Sequence, residues 1–77
     1  MSELPAHLAA RCEELVQAGK AAEAAALCAR EGAHRRASEL YELACDFGSA
    51  ARSALEASDP RRAARLAALG DNKTLIG

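Results

Sequence analysis

The sequence predicts an all-α fold of five to six short antiparallel helices, arranged either as a small α-solenoid of helical hairpins or as a compact helical bundle. Three observations predict it. Apolar residues recur at intervals of three and four, the period of one helix face. Alanine, the strongest helix former, supplies 21 of the 77 residues. Single glycines or a Ser-Asp-Pro turn separate the periodic stretches. A chain of this length holds one small domain and no second core.

Taken in order, the first helix is expected at about residues 5–18. Ser2 can cap it, Pro5 is tolerated in its opening turn, and Leu8, Cys12, Leu15 and Val16 form its apolar stripe. Gly19 supplies a left-handed stop. The second helix, about 21–31, turns Ala24, Leu27 and Cys28 inward, and its small side chains allow a neighbour to come close. Gly32 ends it. The third helix, about 33–47, carries Ala33, Ala37, Leu40, Tyr41, Ala44 and Phe47 on one stripe, with Arg35, Arg36, Glu39, Glu42 and Asp46 mostly turned away. It holds the only Tyr and the only Phe, which marks it as the central core helix.

Gly48 then separates a fourth helix, about 49–57, capped by Ser49 and expected to bury Ala51, Ala54 and Leu55. In Ser58-Asp59-Pro60 the Asp caps and the Pro takes the first helical position, where its missing N–H costs nothing. The fifth helix, about 60–69, buries Ala63, Leu66 and Ala67, and Gly70 closes it. Asp71 and Asn72 look like the cap of a further helix over 72–77. So short a helix predicts a chain that continues, with these residues as its N-terminal module, or a last turn that docks on a partner.

An internal repeat underlies these elements. Gly19-x4-Ala24-x2-Leu27 recurs thirteen residues on as Gly32-x4-Ala37-x2-Leu40, and twenty-six further as Ser58-x4-Ala63-x2-Leu66. A helix breaker marks the turn, Ala sits where two helices cross closely, and Leu fills the groove beside it. The helix after Gly48 is read as out of phase, with Ser53 where Ala is expected.

The run Gly32, Ala37, Leu40, Tyr41, Ala44 resembles the second helix of a tetratricopeptide-type repeat, and Gly19, Ala24 and Leu27 match it more weakly. The likeness covers roughly residues 15–69. It departs in lacking Trp and a closing proline, and its hairpin repeats at about 26–29 residues, against the family's 34. The resemblance implies a degenerate helical-repeat module that binds peptides or helices of protein partners and catalyses nothing.

Charge excludes little and points weakly. The net charge is −1, so no global field draws the chain to nucleic acid or anionic lipid. Residues 1–46 carry eight acids and five bases, and residues 47–77 three acids and five bases, which leaves the halves at −3 and +2. Eight of the ten bases are Arg, suited to forked contacts with carboxylate or phosphate, although an Ala-, Arg- and Leu-rich composition also fits a GC-rich bacterial genome. The N-terminus lacks a signal-peptide pattern and no stretch is apolar enough to span a membrane, which predicts a cytoplasmic protein.

Candidate chemistry is sparse. Cys12, Cys28 and Cys45 are widely spaced, each on the apolar side of an expected helix, and are read as reduced, buried small hydrophobes. His34 and Cys45 are eleven residues apart on the expected third helix, about 16 Å of helical rise, too far to share a metal. His7 and His34 have no neighbouring nucleophile or carboxylate in a recognisable motif, Glu13-Glu14 and Glu39/Glu42 fit solvated helix faces, and no phosphate loop occurs. The reading is therefore of no enzyme, no cofactor and no metal.

The arginines are the remaining site candidates. Arg35, Arg36, Arg61, Arg62 and Arg65 open the third and fifth helices, and Arg11 lies on the first. In a solenoid of hairpins these helices share a face, which would suit an acidic peptide or free carboxylate. The bland alternative is solvation with local pairs such as Arg35–Glu39 and Arg11–Glu14. The expected function is a non-catalytic protein–protein interaction module, an adaptor or scaffold acting in a larger assembly or as a homo-oligomer. A homotypic, death-fold-like signalling domain is the alternative, its uneven charge favouring head-to-tail stacking. Nucleic-acid binding through the Arg-bearing second half ranks third, since one Tyr and one Phe make no stacking platform.

Overall fold

A computed structural model describes the backbone of residues 4–76 and the side chains of residues 4–70. Five α-helices follow one another: α1 Ala6–Gln17, α2 Ala21–Arg30, α3 His34–Leu43, α4 Phe47–Glu56 and α5 Pro60–Ile76. No strand occurs among the described residues. Helices packed closely on each other are all consecutive in sequence, and the molecule measures 39 × 27 × 15 Å.

One turn, used four times, builds this succession. Gly19, Gly32, Cys45 and Ser58, thirteen residues apart, all have positive φ, at 79°, 85°, 62° and 62°. Around each, the chain closes the preceding helix with a pair of hydrogen bonds. Gly19 N–H donates to Val16 O and Lys20 N–H to Leu15 O; the same pair recurs at Gly32/Ala33, Cys45/Asp46 and Ser58/Asp59, at 2.8–3.1 Å. This is the Schellman arrangement, which satisfies carbonyls left open at a helix end. The residue after the left-handed one at once accepts the first bond of the next helix, as Lys20 O does from Ala24 N–H and Asp46 O from Ala50 N–H. Only three residues separate each helix from the next.

Five residues after each left-handed position stands an alanine: Ala24, Ala37, Ala50 and Ala63. The first three are fully enclosed and Ala63 is nearly so. With no side chain beyond Cβ, these positions let successive helix axes approach. The core forms in two parts. Leu4, Cys12, Ala24, Ala25, Cys28, Ala33, Ala37 and Leu40 make the first, and Ala50, Ala54, Ala63 and Leu66 the second. Tyr41 packs against both and joins them.

Several sequence expectations are corrected here. The third helix ends at Leu43, and Phe47 opens α4 and packs on the second core cluster. The apolar spacing Tyr41, Ala44, Phe47 runs on through a turn in which Cys45 is left-handed. Gly48 is therefore helical, and the cap of α4 is Asp46, whose Oδ1 accepts from Ser49 N–H at 3.3 Å. The fourth unit is in phase once counted from Cys45: Ala50 takes the alanine place and Ser53 the leucine place. Leu55, expected inside, is 60% exposed, and Ala50 lies inside in its stead. Asp59 caps as expected, its Oδ1 accepting from Arg62 N–H at 3.1 Å.

Gly70 does not close α5, which continues to Ile76 without the break expected before a sixth helix. A Cβ at Gly70 would lie 3.4 Å from Phe47 Cβ, about ordinary contact, so this helical glycine faces α4. Ala67, expected inside, is exposed. Ser2, expected to cap α1, lies outside the described residues, as do the side chains of Asp71 and Asn72; Pro5 stands at the N-cap of α1.

Non-glycine residues in the left-handed region carry a steric cost of about 1–2 kcal/mol, partly offset by the greater chain freedom that glycine would bring to the unfolded state. Cys45→Gly and Ser58→Gly are each expected to stabilise the fold by about 0.5–1 kcal/mol, and Gly19→Ala to destabilise it by a similar amount. Denaturant unfolding of the three variants checks the signs.

Candidate functional site

The five arginines expected to share a binding face divide into two groups. Arg36, half-buried on α3, donates from Nη2 to Glu13 Oε1 of α1 at 2.9 Å and from Nη1 to Glu39 Oε1 at 3.3 Å. Arg62, on α5, is more enclosed, its side chain 21% exposed. Its Nε donates to Ser38 Oγ at 3.0 Å and its Nη2 to Glu42 Oε1 at 2.6 Å, both on α3. Ser38 is fully buried and donates its own hydroxyl to Ala50 O of α4 at 2.8 Å. Arg62, Ser38 and the Ala50 carbonyl thus form one chain of hydrogen bonds through α5, α3 and α4. Arg65 lies 3.9 Å from Glu42 with most of its side chain in solvent.

These links have a structural consequence. Consecutive helices are held by small apolar contacts, whereas Glu13–Arg36 and Glu42–Arg62 join alternate helices, α1 to α3 and α3 to α5. Arg36 and Arg62 occupy the same place in the thirteen-residue count, two units apart. Arg36 forms its pairs near the surface, and Arg62 forms its pair in a more enclosed setting. The local pair expected between Arg35 and Glu39 is made instead by Arg36, while Arg11–Glu14 is present at 3.7 Å.

Arg35 and Arg61 remain. They too stand two units apart at equivalent positions, at the second residue of α3 and of α5, and both are exposed. Neither side chain has an ion-pair or hydrogen-bond partner among the described residues. Of the five cations foreseen from sequence, these two are without an ion-pair partner among the described residues, while Arg36, Arg62 and Arg65 each lie against a glutamate.

A second feature was hidden from the sequence reading. An open groove of about 240 Å³ is lined by Ala29, His34, Tyr41, Ser49, Arg52, Ser53 and Glu56, across α2, α3 and α4. Ser53, one of the lining residues, stands at the place held by Leu27, Leu40 and Leu66 in the other units, with a shorter side chain. Counting from Cys45 would have found it; counting from Gly48 concealed it.

The cysteines differ from expectation in one case. Cys12 and Cys28 are buried, but Cys45 is exposed, because a left-handed turn residue projects away from the helix faces. Among the described residues no group of three or more His, Cys, Asp and Glu side chains is placed to hold a metal ion. His7 is exposed on α1, and His34 is half-buried at the start of α3. No described helix is long and apolar enough to cross a membrane. Comparison with protein-family models, curated proteins and solved structures finds no match to this chain.

The enclosed position of Arg62 makes substitution there costly. Arg62→Glu sets a carboxylate against Glu42 and strips Ser38 of its donor, and is expected to destabilise by about 2–4 kcal/mol. Arg61→Glu, one residue away in solvent, is expected to stay within about 0.5 kcal/mol. Thermal melts of the two single variants at matched salt test the distinction.

Proposed function

We propose that this chain is a non-catalytic helical-repeat interaction module of α-solenoid type, and that one face of its odd-numbered helices binds an acidic segment of a protein partner. The observation that carries the reading is the placement of Arg35 and Arg61. They stand at equivalent positions on alternate helices, exposed and without side-chain partners among the described residues. The same guanidinium on α3 and on α5, at equivalent positions, offers two carboxylates at a matching interval a forked contact each.

The repeat itself supports this choice over the alternatives. Stacking by consecutive helices leaves extended faces, which is how solenoid modules present binding surfaces. Tyr41 and Phe47 are both half-buried and packed against the core, which leaves no aromatic platform for bases. Its resemblance to tetratricopeptide-type repeats belongs to the same reading, as does action inside a cytoplasmic assembly.

The test is the double variant Arg35→Glu/Arg61→Glu against the unmodified chain, both passed over an immobilised peptide rich in Asp and Glu. Folding is expected to be nearly unchanged, since both positions are exposed, and retention on the peptide to fall at least about tenfold as attraction becomes repulsion. Raising the salt to physiological strength is expected to weaken the unmodified interaction in the same direction. Equal retention of both proteins at low salt would return these arginines to ordinary solvated surface. A salt-sensitive rise in mass with concentration, in sedimentation without peptide, would favour homotypic assembly.

A further inference from the structure

Cys12 of α1 and Cys28 of α2 face each other in the first core cluster, with their Sγ atoms 3.2 Å apart. Cys12 is 2% exposed and Cys28 is fully enclosed. The Cys12 thiol also lies 3.8 Å from Ala24 O, which it can reach as a donor. Two sulfurs at this separation are already inside their ordinary contact distance, and a disulfide bond requires them to close to about 2.05 Å. The gap to be closed is about 1 Å, between side chains on two adjoining helices. Nothing in the sequence pointed here, because the two residues lie in different units of the repeat and Cys28 alone sits on the count that begins at Gly19.

We propose that Cys12 and Cys28 are a site of intramolecular disulfide formation, which locks α1 onto α2 when the chain meets an oxidant. The chemistry is thiol–disulfide exchange with a small-molecule disulfide. The Cys12 thiol loses its proton, and its thiolate attacks one sulfur of the reagent, breaking the reagent's S–S bond and releasing one small thiol. The Cys28 thiolate then attacks Cys12 Sγ in the mixed disulfide, forming the Cys12–Cys28 bond and expelling the second small thiol. The two cysteines lose two electrons in total. The reagent gains them and leaves as two thiols, which take up the two protons released.

Entry of the reagent needs α1 to lift from α2. α1 packs most extensively on α2, and the Arg36–Glu13 ion pair also links it to α3, so lifting α1 is the opening that exposes Cys12. After closure the sixteen-residue separation becomes a covalent loop, which restricts the unfolded chain.

The experiment uses the full chain with Cys45→Ser, which removes the exposed thiol. Serine already occupies the same left-handed place at Ser58, so the turn tolerates it. The folded protein is incubated with glutathione disulfide at mildly alkaline pH and followed by intact mass and proteolytic mapping. The expected product is lighter by two hydrogens, carries no glutathione, links the Cys12 and Cys28 peptides, and reverts with dithiothreitol. Its melting temperature is expected to rise by on the order of 10 °C. A protein that keeps both thiols, or that accumulates as a stable glutathione adduct, overturns the proposal. A second arm, Cys28→Ala in the same background, is expected to yield at most the adduct; loss of two hydrogens there would also overturn it.

Discussion

Consecutive helices in this chain can lie close only where the residues between them are small, and nearly everything else in the structure depends on that constraint. Ala24, Ala37, Ala50 and Ala63 satisfy it, once per unit and always five residues after a left-handed turn. Helices of ten residues are marginal by themselves in water, so their stability must come from packing. Alanine contributes little area per residue, and close approach compensates by bringing backbone against backbone. Turn and alanine then act as one device. The turn fixes where the next helix starts, and the alanine fixes how near it comes.

Polar contacts complete what the alanines leave open. The first core cluster already gathers residues of α1, α2 and α3, and ion pairs add to it between alternate helices. Arg36 pairs with Glu13 in solvent, whereas the more enclosed pair of Arg62 with Glu42 is tied by buried Ser38 to the backbone of α4. The equivalence of Arg35 with Arg61, and of Arg36 with Arg62, shows the same count serving two ends. One residue of each pair points into the array and holds it, and its neighbour points outward with its charge unspent.

Much of the fold was legible in the sequence because its signals are local. The periodic stretches, the glycine stops at Gly19 and Gly32, and the Asp59-Pro60 start all mark elements that the structure contains. The third boundary was not legible. Cys45 adopts a backbone conformation for which glycine is the usual signal, while the nearby Gly48 is an ordinary helical residue. Gly70 misled in the same way, since it too is a residue within a helix, and α5 runs on through it. The candidate site was half legible. Spacing placed the arginines on the right helices, but which of each adjacent pair is spent on an ion pair depends on Glu13 and Glu42, distant in sequence.

The most direct test of this account is the backbone conformation at the third turn, measured by chemical shifts and HN–Hα couplings of the isotope-labelled protein in solution. A thirteen-residue register requires left-handed values at Gly19, Gly32, Cys45 and Ser58 alike. It also requires helical values at Gly48, with α4 beginning at Phe47. A helix that runs unbroken from His34 through Cys45 and stops at Gly48 would contradict it, and with it the placement of Ala50, Ser53 and the paired arginines.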